Sequence, residues 1–371
     1  MSKLKTPTQR SLDRHSRLDS VIESPNLQHV TRHIDEAAAI QIENCVGFVQ
    51  VPVGIAGPLR INGADTAAFN ACGGLQFEVL NEAMPRAPMF FFASPGHAIA
   101  FTRATPSFRS DFARWAESTS KYVRLQELDA SVIGSSVHLY RSYSCGSAAG
   151  QNIVSKATQY ACERLRASKY VERFGIKDII IEGQLASDKK PSWGNVQRPR
   201  GVEVLAWGII TNNACERILG CSAERLYHTQ MALKDGGIRN AQFGCNINTA
   251  NIVAALFVST GQDAGSIAEA CWSHPASEYD YQTKALKMSL YFPSLPVGMV
   301  GGGTRYPSQS ECLNMLGCAE PAGKRKLAGK IVAFALALDA STSAAIANDT
   351  FTKSHMRLAR GEIYGIRAPK L

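Results

Sequence analysis

Val123–Ser168, VRLQELDASVIGSSVHLYRSYSCGSAAGQNIVSKATQYACERLRAS, decides how this chain is read. "VRLQELDASVI" and "SSVHLYRSYS" read as strands, and "GQNIVSKATQYACERLRAS" carries helical spacing. Upstream, "FRSDFARWAESTS" reads as a helix, and downstream "KDIIIEGQL" reads as a strand. This alternation over residues 102–180 fits a small α/β unit of ferredoxin-like type.

Its flanks differ. Residues 1–45 are polar, and "HVTRHIDEAAAIQIEN" has helical spacing, so an N-terminal helical arm is expected there. "CVGFVQVPVGIAGPLRING" reads as strand, turn, strand, punctuated by Gly54, Gly57 and Pro58. After residue 200 the pattern turns helical, in "TANIVAALFVSTGQDAGSIAEACW" and "KLAGKIVAFALALDASTSAAIANDT", with "PVGMVGGGT" as a glycine-rich break between them. The expected class is α+β: a large helical domain from 46–101 and 181–371, with 102–180 inserted as a small domain.

Composition narrows the functional classes. The 371 residues, 45% hydrophobic and 19% charged, suffice for a sizeable core. A net charge of +9 suits an anionic small molecule or a weak attraction to polyanions. The basic residues are spread along the chain without a zinc-finger or RNA-recognition signature, which argues against nucleic acid. Ten cysteines with no Cys-x-x-Cys pair indicate neither a disulfide framework nor a metal site. No apolar run is long enough for a transmembrane segment, and no secretory leader opens the chain. The expectation is a cytoplasmic protein.

Three segments could carry chemistry. In "SCGSAAGQNIVS" a strand runs into a helix, so Gly146 and Gly150 permit close approach and the helix N-terminus favours an anion. The spacing matches neither the Rossmann nor the Walker pattern, and an ordinary glycine-rich helix start is the favoured reading of this segment taken alone. "VGMVGGGT", with Gly301, Gly302 and Gly303, is a tight loop against a cofactor or a domain turn. "SDKKP" is a charged turn or a lysine used in catalysis.

Five motifs, in order, settle the choice. "ENCVGFVQVPVGIAGPL", "ASDKKP", "NTANIVAALFVSTGQDA", "VGMVGGGT" and "AIANDTFTKSHM" resemble the catalytic domain of the hydroxymethylglutaryl-CoA (HMG-CoA) reductase family from about residue 30 to 358, and the Asp-Lys-Lys form looks like its eukaryotic-type class. The resemblance implies a large helical domain holding a CoA thioester, a small inserted domain holding NADPH, and a homodimer or tetramer with interfacial active sites. It also implies two hydride transfers, from thioester to aldehyde and from aldehyde to alcohol. Negative charge grows on a carbonyl oxygen in each, and an ammonium stabilises it.

By motif position that ammonium is Lys189, tuned by Asp263, oriented by Asn251, with His355 protonating the leaving thiolate. Asp188 and Lys190 flank it in the substrate site. Ser120, Lys121, Ser147, Gly150 and Asn152 stand at cofactor positions, Lys121 replacing an arginine, and Ser147 and Ala149 replacing aspartate and methionine. In "ACGGLQFEVLNEAMPRA" Gly74 falls at the family's acidic glutamate, with Glu78 and Glu82 one or two helical turns beyond. Glu182 replaces a carboxylate-binding serine, and the clamping arginine has no counterpart near "FFFASPGHAIAF".

These changes imply poor use of HMG-CoA and a less acidic acyl thioester or hydrophobic carbonyl substrate, received by the aromatic surface of "APMFFFASPG". The alternatives are a repurposed non-redox enzyme using the lysine for cyclisation or addition, a catalytically impaired paralogue or dimeric binding protein, and a gene-model deletion within 70–100.

Overall fold

A computed structural model describes residues 48–52, 67–319 and 322–353. The arm expected at 1–45 and His355 lie outside the described residues. So does most of the segment expected as strand, turn, strand at 45–63; its described part, 48–52, is irregular.

β1 (Gln76–Arg86), β2 (Met89–Phe92), α1 (Pro95–Glu117), β3 (Arg124–Ile133), β4 (Ser136–Ser144), α2 (Gln151–Arg166) and β5 (Ile176–Ile180) form the first part of the described chain. The order helix, strand, strand, helix, strand read from 102–180 is present. β1, however, is extended where helical turns were expected after Gly74, so Glu78 and Glu82 lie along a strand.

The later part is less helical than its sequence suggested. β6 (Gly201–Ile210), α3 (Ala223–Arg239), α4 (Thr249–Ser259), β7 (His274–Asp280), β8 (Ala285–Leu295) and α5 (Gly323–Ala347) follow in that order. β6 shows a period-two signal: Val202, Val204 and Ala206 are buried with half-buried Glu203, Leu205 and Trp207 alternating between them, and exposed Ile209 precedes buried Ile210.

All strands pair antiparallel in the order β5-β2-β4-β1-β6-β8-β7, with β3 on the other side of β4. β1 joins the two ends of this array. Gln76–Ala83 pair with β6, and Met84–Arg86 pair with β4, after a register shift between Val79 and Asn81.

Two hydrophobic clusters flank the array. One gathers Val204, Phe292, Leu290 and Leu286 of the sheet with Val253 and Phe257 of α4 and Leu327, Ile331 and Leu336 of α5. The other packs Phe101, Phe108 and Phe112 of α1 and Val154, Ala161 and Leu165 of α2 on Met84, Phe90, Val137, Leu139 and Tyr143. Each fully buried phenylalanine contributes about 1.5–3 kcal/mol relative to exposure. Phe90 and Phe92 belong to this core, with ring centroids 5.1 Å and 5.2 Å from Phe101. The "FFF" segment is therefore an interior strand, and the aromatic substrate surface expected there is absent, because burying these rings is worth more than presenting them to water.

α5 is long and apolar enough to cross a bilayer, but 56% of that apolar window is buried within the protein, as in a central core helix. None of the nine described cysteines forms a disulfide.

Candidate active site

Lys189 lies in a turn that the backbone alone disfavours. Gln184, Ser187 and Lys189 adopt φ of +66°, +50° and +59°, the left-handed region that costs side-chain-bearing residues roughly 1 kcal/mol or more each. Surrounding bonds hold the turn in place. Asn195, buried in the short helix Trp193–Gln197, donates its side-chain amide to the carbonyls of Lys190 at 3.3 Å and Ser187 at 3.5 Å. The turn aims Lys189 Nζ at Asp263 Oδ2, 3.0 Å away, with Lys189 about half exposed.

Asp263 is fixed from two further sides. Its Oδ1 accepts the Gly265 N–H at 3.0 Å, capping the one-turn helix Ala264–Ser266. Gln151, the first residue of α2, donates Nε2 to Ser266 Oγ at 3.0 Å and reaches Asp263 Oδ2 at 3.5 Å. A residue of the second cluster's helix thus touches the lysine's counter-ion.

Asp188, beside the lysine, faces the interior. It accepts Arg86 Nη1 at 3.2 Å and a very short bond from Arg200 Nη2. Arg200 is fully buried, and its Nε lies 2.6 Å from Glu269 Oε2, also fully buried. Burial pushes the Glu269 carboxyl above its ordinary range, Asp188 adding to the rise while Arg200 and Ser266 oppose it. Arg86 is committed elsewhere too: Nε to Ser155 Oγ at 2.7 Å, Nη2 to the Gln151 carbonyl at 3.2 Å, and Nη1 3.7 Å from Glu182 Oε2. Arg86 is the last residue of β1 and was given no role from the sequence.

The two glycine-rich segments meet here. Met299 N–H donates to the Ser147 carbonyl at 2.7 Å, and Ala148 bridges Val300. Gly150 caps α2 at φ +108°, where a Cβ would lie 2.3 Å from Cys145 Sγ, so only glycine fits. No side chain caps α2, leaving its first amides available to an anion. Behind the loop, buried Lys324 of α5 donates to the Gly146 carbonyl at 3.3 Å and pairs with Glu82 at 3.2 Å. Gly303 N–H donates to the Gly261 carbonyl at 3.1 Å, and Gly298 N–H to Gln262 Oε1 at 2.8 Å, tying the 297–304 loop to the turn before Asp263.

Other expected residues fall around this seam or away from it. Ser120 and Lys121 lead into β3; Ser120 Oγ accepts the Tyr122 N–H, Lys121 Nζ lies 5.1 Å from the Tyr122 ring, and that ring packs against Gly146. Asn152 is exposed on the first turn of α2. Lys190 turns away from Asp263 to bond Gln184 Oε1 at 3.0 Å. Asn251 lies on the first turn of α4, where its side-chain amide donates to Asn248 Oδ1 at 3.3 Å. Gly74 precedes β1 at φ +88°, at the opposite end from Arg86, about 35 Å along a straight strand. Sequence reasoning missed Arg86, Gln151, Arg200, Glu269 and Lys324; Arg86, Gln151 and Glu269 stood inside quoted segments but were given no role, and Arg200 and Lys324 stood outside them.

A family model described as hydroxymethylglutaryl-coenzyme A reductase matches residues 11–68 and 64–360. The chain belongs to this family. It is 34% identical over 345 residues to 3-hydroxy-3-methylglutaryl-coenzyme A reductase 1 of Hevea brasiliensis, covering 85% of this chain and 59% of that protein. It is 31% identical over 365 residues to the reductase of Methanocaldococcus jannaschii, covering 90% and 89%. The chain thus spans about three-fifths of the plant relative and most of the archaeal one. Among solved structures, the class II reductase of Streptococcus pneumoniae bound to NADPH superposes with a TM-score of 0.66 at 17% identity, covering 94% of this chain and 86% of that one. That likeness carries the mixed helix-and-sheet fold of the reductase family.

Proposed function

We propose that this chain is an NADPH-dependent oxidoreductase that reduces the carbonyl carbon of an acyl-CoA thioester at Lys189. One observation carries the reading: the Lys189–Asp263 pair, at 3.0 Å, lies at the seam where the 145–152 and 297–304 loops meet.

The cofactor fits this seam. The Gly150 position has no room for a side chain, and α2 presents an uncapped N-terminus. Ser120, Lys121, Ser147, Gly150, Asn152 and Gly301–Gly303 would hold NADPH, with Lys121 meeting its 2′-phosphate as a point charge. When bound, NADPH supplies the hydride.

The protein's part is electrostatic. As the carbonyl oxygen gains charge, the Lys189 ammonium stabilises it, and Asp263 holds that ammonium in place through the pair. The hemithioacetal then collapses, its C–S bond breaking to give aldehyde and thiolate, and His355 gives the thiolate a proton. Reduction of the aldehyde takes a second equivalent of NADPH; the resulting alkoxide, stabilised by Lys189, takes a proton from solvent to give the alcohol.

Arg86 argues for an altered acyl group. Its guanidinium already meets Asp188, Glu182, Ser155 and the Gln151 carbonyl, leaving little charge for a free substrate carboxylate. A less acidic acyl group than hydroxymethylglutaryl suits this site. Half exposure of Lys189 in one chain suits completion by a second copy, in a homodimer with its active sites at the interface, and Asn251 orients the lysine and the carbonyl. In this reading 102–180 serves the nucleotide, the remainder the thioester, and the protein works in the reducing cytoplasm.

The test mixes protein, NADPH and a panel of acyl-CoAs, following absorbance at the nicotinamide band and products. Thioester-dependent NADPH oxidation, lost by about 10²-fold or more in Lys189→Ala, is expected. Turnover of thioesters without NADPH would favour cyclisation or addition instead.

A further inference from the structure

A buried ion pair adjoins the turn that carries Lys189. Arg200 and Glu269 are both fully buried, 2.6 Å apart. Removing two charges from water rarely gains stability over apolar side chains of similar volume, so such a pair is better explained by what it orients. Arg200 spends its other end on Asp188, the residue between left-handed Ser187 and Lys189. Strained turns persist only where their surroundings over-determine them.

The route closes on itself. Glu269 sits in the short helix Ile267–Ala270, which follows directly on the one-turn helix capped by Asp263. One segment, 263–269, therefore grips the turn twice: Asp263 holds the Lys189 amine, and Glu269, through Arg200, holds the neighbouring Asp188 carboxylate. Arg86 alone could tether Asp188, but its Nη1 is shared with Glu182, whereas Arg200 is anchored by the Glu269 ion pair and by its own N–H to Ser294 Oγ at 2.9 Å.

We propose that Glu269 and Arg200 are positioning residues, which set the aim of the Lys189 amine at Asp263 by fixing Asp188. The role in turnover rests on the reductase reading above; the geometric role does not.

The experiment separates the two. A single Arg200→Met change strands Glu269 as a buried lone charge and risks misfolding, so the central variant is Arg200→Met with Glu269→Leu, an apolar pair that removes both charges. Arg200→Lys, which keeps charge but loses the fork, is the milder companion. The full chain is treated with a limiting water-soluble N-hydroxysuccinimide ester, and acylation of Lys189 is measured by mass spectrometry against Lys190 in the same peptide.

In the wild type, engagement with Asp263 should keep Lys189 several-fold less reactive than Lys190. The double variant should melt at or above the wild-type Tm yet lose that protection, and Arg200→Lys should lose part of it. If thioester-dependent NADPH oxidation is found, kcat should fall about 10–100-fold with the KM for NADPH unchanged. An unchanged Lys189 to Lys190 ratio in a folded double variant overturns the proposal. Absence of any NADPH oxidation by the wild type, with protection lost in the variants, overturns the reductase reading and leaves the positioning role standing.

Discussion

Glu182 Oε2 stands 3.7 Å from Arg86 Nη1, and Arg86 in turn bonds Asp188 Oδ2 at 3.2 Å. Two carboxylates share one guanidinium beside the proposed substrate site, so its positive charge is already answered.

Removing the first of them should restore an anion site. Glu182→Ser is expected to raise kcat/KM for HMG-CoA relative to an uncharged acyl-CoA by about 10–100-fold, a difference of about 1.4–2.7 kcal/mol. Parallel assays on the two thioesters check this; an unchanged ratio would show that Arg86 does not meet the acyl carboxylate.

Gly261 turns at φ +69°, and a Cβ there would lie 2.3 Å from the Gly303 carbonyl carbon. Gly261→Ala should lower stability by about 1–3 kcal/mol, from backbone strain and displacement of the 297–304 loop. Calorimetry reads the loss, and NADPH titration should show weaker binding in whatever protein remains folded.

His274 of β7 stacks on Trp272, and burial, with the Lys234 charge, holds its pKa below the ordinary histidine value. The folded state therefore resists protonation. Above about pH 6.5 both states are neutral and the group is without effect; as pH falls through that value the unfolded chain takes the proton first, and stability drops until the lower folded value is passed. Tm measured downward from pH 7.5 should fall more steeply for wild type than for His274→Phe, which keeps the stack.

Burial pushes the Cys215 thiol up to about 12, with Cys221 next in effect, and the Cys271 thiol to about 11. At pH 8 their thiolate fractions are about 10⁻³ or less, so iodoacetamide should leave both unmodified while the half-buried Cys312 reacts. Peptide mapping of the native protein distinguishes them; prompt modification of the fully buried Cys215 would mean that it opens to solvent.

The legible parts of this molecule were those with local signals. The strand pair 123–144 and the helix from Gln151 declared themselves by period, and Lys189, Asp263 and the two glycine loops by motif. Val202, Val204 and Ala206 show the same period-two signal in β6, but the apolar stretches around them drew the reading toward helix. "MFFF" read as a binding surface because nothing in four apolar letters says which core they enter; Phe101, nine residues past Phe92, decides that. Arg200 and Glu269 were invisible for another reason. Each is an ordinary charged residue in sequence, and only the fold takes both out of water and sets them against Asp188. Arg86 lay unmarked at the end of a strand whose course could not be traced from Gly74.

β1 is common property of both hydrophobic clusters: Phe77 and Val79 pack on the first, and Met84 lies in the second, along one unbroken ribbon. A fragment cut out as residues 102–180 would leave Met84, Phe90, Phe92 and Phe101 behind and expose the apolar faces they cover. Neither half has a private scaffold, so heat should dissolve the two together, in one transition.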